Sequence, residues 1–262
     1  VEDFPQKRLT RSGSKRRNLP ISDRKYNPMP DQQGSIDSTQ NPNKINLMAR
    51  LVQPEHLDSL DPSDPRAVTS RRDLALINQL MGNPRWFELA LKPYLDARLH
   101  TLELGAGGGE LARHLHRSVD FATYTAVDLA PRPTEWPENA IWHRGDILDY
   151  ENLGTTELLL ANLILHHFTD QQLEDLGQRI QRSNVRHILA NEPCRRSIHK
   201  WQLRAGCLIG FNAVTLYDGC VSIQAGFQGS ELAKKLGLDD KEWFVIIRTT
   251  FMGAYRMEAH RR

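Results

Sequence analysis

Apolar side chains are unevenly distributed along this chain, and their period changes along its length. Residues 1–46 carry almost no large apolar side chains and are rich in Ser, Asn, Gln, Pro, Lys and Arg. Such a segment cannot bury enough surface to offset its ordering entropy, so 1–46 is expected to be a disordered basic tail. From Leu47 a helical rhythm sets in. A short helix is expected at 55–60. After Asp61-Pro62 and Asp64-Pro65 comes a longer one, with Leu74, Ile77 and Met81 on one stripe. Ser70 with Asp73 three residues on reads as its capping-box start. Gly82 stops it. Asn83-Pro84 opens another helix carrying Trp86, Phe87, Ala90 and Leu91, which Pro93 ends or kinks. Residues 47–98 are therefore expected to be a helical cap.

From Leu99 short apolar runs ending in polar or glycine residues alternate with helical stripes. Strands are expected at 100–104, 122–127, 140–143, 157–161 and 187–190. Helices are expected at 110–115 and after Thr169, where Gln172 completes a capping box and Leu173, Leu176 and Ile180 line one face. Strands alternating with helices imply right-handed crossovers and a mainly parallel sheet. The end differs. A helix at 230–236 precedes two strands, 244–249 and 254–260, joined by only a few residues around Phe251, Met252 and Gly253. So short a connection forces an antiparallel hairpin. The expected fold is α/β, a seven-stranded, mainly parallel sheet with a C-terminal antiparallel hairpin and helices on both faces.

The length of 262 residues suits one sizeable α/β domain with an appendage. The formal net charge of +2 makes no strong electrostatic statement for the whole chain. Lys7, Arg8, Arg11, Lys15, Arg16 and Arg17 make a local one. A basic tail can dock on nucleic acid or an anionic surface, or be merely solvated, or precede the true start at Met29 or Met48. Arg16-Arg17 is not followed by an apolar run, so no secretory signal is read, and no stretch reaches the length of a membrane span. Cys194, Cys207 and Cys220 form neither a C-x-x-C pair nor a cluster with histidine, so neither a disulfide framework nor a zinc site is expected. A cytoplasmic setting follows from these readings. Nothing in the pattern selects an oligomeric state.

The segment Glu103-Leu104-Gly105-Ala106-Gly107-Gly108-Gly109-Glu110 falls between a strand and a helix. In an open α/β sheet, ligands bind outside the carboxyl ends of strands, and glycines there let the backbone turn tightly and approach a ligand closely. A dinucleotide loop would place its third glycine at position 110, which is Glu110. The flanking carboxylates Glu103 and Glu110 would repel a pyrophosphate but not a cationic ligand.

Glu103-x-Gly105-x-Gly107-x-Gly109 resembles the first signature of class I (Rossmann-like) S-adenosylmethionine-dependent methyltransferases. The resemblance covers 47–262, most strongly 99–192, and implies the cofactor S-adenosyl-L-methionine. It implies that Gly105, Ala106, Gly107 and Gly109 pass under its methionine and ribose, with Glu103 orienting the amino-acid end. Asp128, ending the second strand, would accept the ribose hydroxyls, with Leu129 beside it. Asp146, with Ile147, would meet the adenine amino group. Asn162 would stand at the edge of the methyl-transfer pocket.

Asn162 is followed by Leu163-Ile164-Leu165-His166-His167-Phe168. This His-His resembles the small-molecule branch of the family, near ubiquinone/menaquinone-type methyltransferases. His167, and secondly His166, are candidates for a base on an acceptor hydroxyl; either can instead brace the loop. Base amino-methylases carry Pro-Pro-aromatic after the Asn, so a nucleic-acid acceptor is disfavoured. Glu192-Pro193 and Gly253-Ala254-Tyr255-Arg256 resemble methyltransferases found beside polyketide synthase-like enzymes. Trp201, Leu203, Leu208, Ile209 and Phe211 suggest an apolar helix, lid or core, and Arg195-Arg196 either holds an acidic acceptor or is solvated. The expected activity is methyl transfer to a small apolar or phenolic metabolite, on oxygen. The alternatives are an RNA or protein methyltransferase docking through the tail, and a non-catalytic cofactor-binding protein. No metal is expected.

Overall fold

Seven strands form where the alternating runs predict them: β1 (His100–Leu104), β2 (Thr123–Asp128), β3 (Ala140–Arg144), β4 (Leu158–Asn162), β5 (His187–Pro193), β6 (Trp243–Thr249) and β7 (Ala254–Arg261). They make one sheet in the order β3-β2-β1-β4-β5-β7-β6, in which the first five pair in parallel and β7 is antiparallel to both β5 and β6. The computed structural model describes residues 48–61 and 63–262, which lie in the unit 45–262. The tail expected at 1–46 lies outside the described residues. No helix among the described residues is long and apolar enough to cross a membrane.

Helices cover both faces: α1 (His56–Ser59), α2 (Pro65–Leu80), α3 (Asn83–Leu91), α4 (Glu110–Leu115), α5 (Asp170–Gln181), α6 (Ser197–Ala205), α7 (Ala213–Ala225) and α8 (Glu231–Lys235). Alternation along β1 assigns the layers. Leu102 and Leu104 join Leu173, Leu176 and Ile180 of α5 and Leu232 of α8 in one core. On the other face Trp86, Phe87 and Leu91 of α3 and Leu111 and Leu115 of α4 pack on Tyr124, Ala126, Leu158 and Leu160. Central β4 is apolar at every position from Leu158 to Ala161 because both its faces are covered. Thr169 and Gln172 exchange both capping-box bonds at the start of α5.

Four expectations need correction. α2 starts at Pro65, capped by Asp64 through Arg66 N, and not at Ser70. A cap followed by a first-turn proline is the stronger start, and Ser70 and Asp73 have another task. Both are buried in mid-helix, and Asp73 Oδ2 accepts from Thr215 Oγ1 at 2.8 Å and from Asn212 N at 3.0 Å, pinning α7 to α2. β5 runs on through Asn191, Glu192 and Pro193 because β7 pairs with it along its whole length. The segment after it forms two helices, α6 and α7, not one: Leu203 faces inward while Trp201 is 66% and Leu208 89% exposed. Arg195 is no acceptor ligand; it is buried and spent on Met48 O, Gly226 O and Glu231.

Two outcomes follow from this packing. Gly177 of α5 lies so close to the end of α8 that an added Cβ would sit 2.4 Å from Leu236 O. Helix propensity favours Ala over Gly by about 1 kcal/mol, but the backbone clash should cost about 1–3 kcal/mol. Gly177→Ala is therefore expected to lower the midpoint of denaturant unfolding; a raised midpoint would mean the helices separate freely.

Glu103 faces the α3/α4 side, 1% exposed, and accepts from Tyr124 Oη at 2.7 Å. Burial pushes its carboxyl up to about 7 despite that bond. The folded value lies above the ordinary one, so the folded state binds the proton more tightly. The stability this contributes is complete below about pH 4 and is lost as pH rises to about 7. The loss is on the order of 3 kcal/mol for a shift of this size. Glu103→Gln should flatten that part of the stability–pH curve measured by urea titration; an unchanged slope would place the proton elsewhere.

Candidate functional site

The sheet reverses its winding between β1 and β4, which pair directly while their connections leave in opposite directions. The crevice outside their carboxyl ends is where an open α/β sheet binds ligands. Gly105, Gly107 and Asp128 meet there. Gly105 has φ +67° and faces Ile164 so closely that a Cβ would lie 2.5 Å from Ile164 Cγ1. Gly107 has φ +53°, and a Cβ there would meet nothing within 4 Å, so its strain is conformational and its surroundings are open. Gly107 N donates to Asp128 Oδ2 at 2.7 Å, and Ala130 N donates to Oδ1 at 2.8 Å. The loop after β1 is thus tied to the last residue of β2.

The other expected residues separate into mouth and wall. Gly109, also at positive φ, precedes α4. Asp146 is exposed just beyond β3, and its Oδ1 accepts from Leu148 N at 2.9 Å. The preceding Gly145 N donates to Asp128 O at 2.9 Å, which brings this turn beside the glycine loop. Leu129 is 70% exposed next to Asp128. Ala106 and Ile147 are buried in the walls. Glu103 alone is turned into the core under Tyr124, away from the position in which its charge would act on a ligand from the loop surface.

Asn162 ends β4 in a ladder of amides. Its Oδ1 accepts from Asn191 Nδ2 at 2.9 Å, and Asn83 Nδ2 donates to Asn78 Oδ1 at 2.8 Å, with Asn162 Nδ2 at 3.5 Å from that same oxygen. Asn83 Oδ1 and Asn191 Oδ1 have no hydrogen-bond partner among the described residues.

At Leu163 the backbone takes φ +58°, a left-handed turn that costs a leucine about 1–2 kcal/mol. The turn swings the chain into a 3₁₀ turn, Leu165–His167. Glu192, fully buried at the end of β5, holds it there. Its carboxylate accepts from Ile164 N at 3.2 Å, Leu165 N at 2.9 Å and His166 N at 3.3 Å, and from His166 Nδ1 at 2.7 Å. The free Nε2 of His166 looks toward Glu55 Oε1, 3.8 Å away, and His167 Nε2 lies 4.0 Å from the same oxygen. Ser222 Oγ of α7 donates to Glu55. Burial alone would lower the His166 imidazole, but the carboxylates of Glu192 and Glu55 outweigh it and hold it at about 9. Burial and the charge of His166 push His167 down to about 4. Its side chain stays 30% exposed, so His167 is the neutral, accessible member of the pair and His166 the braced one.

Both histidines open on a cavity of about 550 Å³. Its walls are Leu74 and Ile77 of α2, Leu203 of α6, Phe211, Ile223 of α7 and Met252 of the β6–β7 turn, with Glu55, His199 and Gln202 as polar points. Leu163 lines it too, which joins the cavity to the β4 end of the crevice. Glu55, Asn78 and His199 escape a reading of the sequence. Glu55 is more than a hundred positions from the histidines, and Asn78 and His199 sit on helices whose apolar stripes draw attention elsewhere. The sequence signal that was available is the lone acidic residue ahead of a short cap helix.

No protein-family model matches the chain, and no curated protein matches it. Solved structures do. The chain is similar to the plantazolicin methyltransferase BpumL in complex with a monoazolic desmethylPZN analog and SAH. The TM-score is 0.59 at 11% identity, over 76% of this chain and 91% of that one. The plantazolicin methyltransferase BamL, in complex with a triazolic analog and SAH, gives 0.58 at 9% identity, covering 78% and 92%. Human N-acetylserotonin methyltransferase in complex with SAM gives 0.50 at 17%, covering 78% of this chain and 61% of that one. With its strand order, antiparallel final hairpin and glycine loop at the β1–β4 switch, the chain has the fold of the class I S-adenosylmethionine-dependent methyltransferases.

Proposed function

We propose that this chain transfers the methyl group of S-adenosylmethionine to a small apolar or phenolic metabolite, on oxygen. The observation that carries the reading is the junction of two spaces. The glycine loop tied to Asp128 lies against Ile164 at Gly105, and the neighbouring Leu163, His166 and His167 line the apolar cavity.

The residues present fit the cofactor. Left-handed Gly105 and Gly107 keep the loop low and leave open space above Gly107. Asp128 keeps further lone pairs for ribose hydroxyls, and Leu129 offers an exposed apolar surface beside them for a flat base. Asp146 is the acceptor for an adenine amino group, and Asn162 with Asn78 offers amide groups to the methionine end. Ala106 and Ile147 support the walls, and Gly109 closes the loop. Glu103 acts from beneath, through the packing of β1 against Tyr124. When bound, the cofactor supplies a methyl on a sulfonium that departs as a neutral thioether.

The chain then has to hold an acceptor in line and exclude water. The cavity walls of α2, α6 and α7 do both. A cavity of this size with a mainly apolar lining suits a small molecule better than a nucleic acid or protein surface. His167 receives the acceptor proton while the oxygen lone pair takes the methyl, and Glu55 pairs with the imidazolium formed. His166, locked by Glu192, sets the position of His167. Free Cys194, Cys207 and Cys220 accord with a cytoplasmic setting.

Calorimetric binding of S-adenosylhomocysteine is expected for the wild type. Asp128→Ala should weaken it by about 2–4 kcal/mol, since hydrogen bonds to a charged group contribute about 1.5–3 kcal/mol each. A folded wild-type protein that binds none would end the reading. In a second experiment, turnover of a panel of phenols is followed by S-adenosylhomocysteine release. His167→Ala should lower kcat about 10²–10⁴-fold while leaving S-adenosylhomocysteine affinity intact. Unchanged turnover would remove His167 from the chemistry.

A further inference from the structure

We infer that Glu55, His166 and His167 form a binding site for one divalent first-row transition-metal ion at the wall of the acceptor cavity. Each residue offers one ligand atom, and the three atoms lie within 4.8 Å of one another. Glu55 Oε1 is 3.8 Å from His166 Nε2 and 4.0 Å from His167 Nε2. A point equidistant from three atoms so spaced is roughly 2.5 Å from each, against about 2.0–2.2 Å for imidazole and carboxylate bonds to such ions. A contraction of a few tenths of an ångström closes the site.

Three further features separate this cluster from a chance meeting of polar side chains. First, the outer groups are already set. His166 Nδ1 is bonded to Glu192 at 2.7 Å and Nε2 faces Glu55, so an ion that displaces the Nε2 proton meets a lone pair already directed toward Glu55. Carboxylate–histidine–metal chains use this arrangement to fix the tautomer and raise ligand basicity. Ser222 does the corresponding task for Glu55. Second, the site carries surplus negative charge. Glu55 and Glu192 flank His166, Asp58 stands near both Glu55 and Asp218, and Arg50 faces Glu192 and Asp170. Third, two imidazoles and one carboxylate leave coordination positions open, and all three residues line the cavity. This donor set favours a d-block ion over Mg²⁺ or Ca²⁺, which take oxygen ligands.

The binding stands by itself; its use rests on the methyltransferase reading. An ion here would hold an acceptor hydroxyl and lower its pKa, so that the proton leaves to solvent base and the oxygen stays as a metal-bound anion ready to be methylated. In the loaded protein His167 is then a ligand, and the ion takes over the task that the free imidazole performs in the metal-free protein. The loss of turnover in His167→Ala is common to both; metal binding tells them apart.

The test is titration of the chelator-treated full chain with Zn²⁺ by calorimetry, and with Co²⁺ by its visible absorption. The expected result is one ion per chain. Glu55→Gln and His167→Ala should each weaken it by well over tenfold, and Ser222→Ala, acting one shell out, by about 10–100-fold. Circular dichroism and S-adenosylhomocysteine binding keep misfolding apart from loss of the site. No ion taken up by a folded wild type overturns the inference. So does uptake that none of the three variants weakens, which would place the ion on other residues. If the ion binds as described but S-adenosylhomocysteine does not, the metal site stands and the methyltransferase reading falls.

Discussion

A carboxylate enclosed in protein must find donors or lose its charge, and the fully buried Glu192 finds four, all within three residues of one another. The shape of the site depends on that clasp. β4 ends at Asn162, and the next residue turns left-handed at a cost that a leucine does not normally bear. Leu163 N is held by Asn191 O at 2.8 Å, and the next three amides are held by Glu192. The neighbouring strand therefore determines the conformation of the loop. It also aims it. The bond from His166 Nδ1 fixes one ring, and burial together with that ring's charge keeps the adjacent His167 neutral. Removing the carboxylate would leave buried amides and an imidazole unpaired together.

Around that turn the cavity wall is built from separate elements. α2 and α7 are pinned to each other by Asp73, Thr215 and Asn212. Asp218 of α7 caps α1 through His56 N and Leu57 N, which places Glu55 over the histidines. Arg50 ties the segment before α1 to the carbonyls of His166 and Phe168 and to Asp170. A short helix with no buried residue of its own is thus positioned by side chains from distant parts of the chain. The crevice at the β1/β4 switch needs none of this; it follows from strand order and three glycines.

That difference explains how much could be read from the amino-acid order. Strands ending at glycine or carboxylate, with a helix after each, have local signals. β1, α4 and β4 accordingly stand within a residue of their expected positions, and the capping box of Thr169 forms as written. The glycine loop and Asp128, one strand end apart, meet for the same reason. What failed was set by pairing at long range. β5 is lengthened by β7, so Glu192 belongs to a strand and not to the segment after it. Ser70 and Asp73 imitate a cap but are taken by α7. Glu103 fits the pattern of a ligand-facing acid, yet strand alternation turns it under Tyr124, and no motif records which face a strand presents.

The two halves of the site also differ in how they can change. In the crevice, Gly105 has Ile164 against it and Asp128 has two backbone amides on it, so substitution there meets the backbone. In the cavity most of the lining is aliphatic and aromatic side chain, with Glu55, Asp58, the two histidines, His199, Gln202 and Ser222 as its polar members. Apolar walls tolerate exchange at constant volume, whereas the polar points are fixed by partners behind them: Glu192 behind His166, Ser222 behind Glu55, Gln202 beside His199. A pocket made this way can change its shape without changing the polar groups at its inner end. Cavity shape is then a property of α2, α6 and α7, and the placing of the histidines a property of the turn that Glu192 holds.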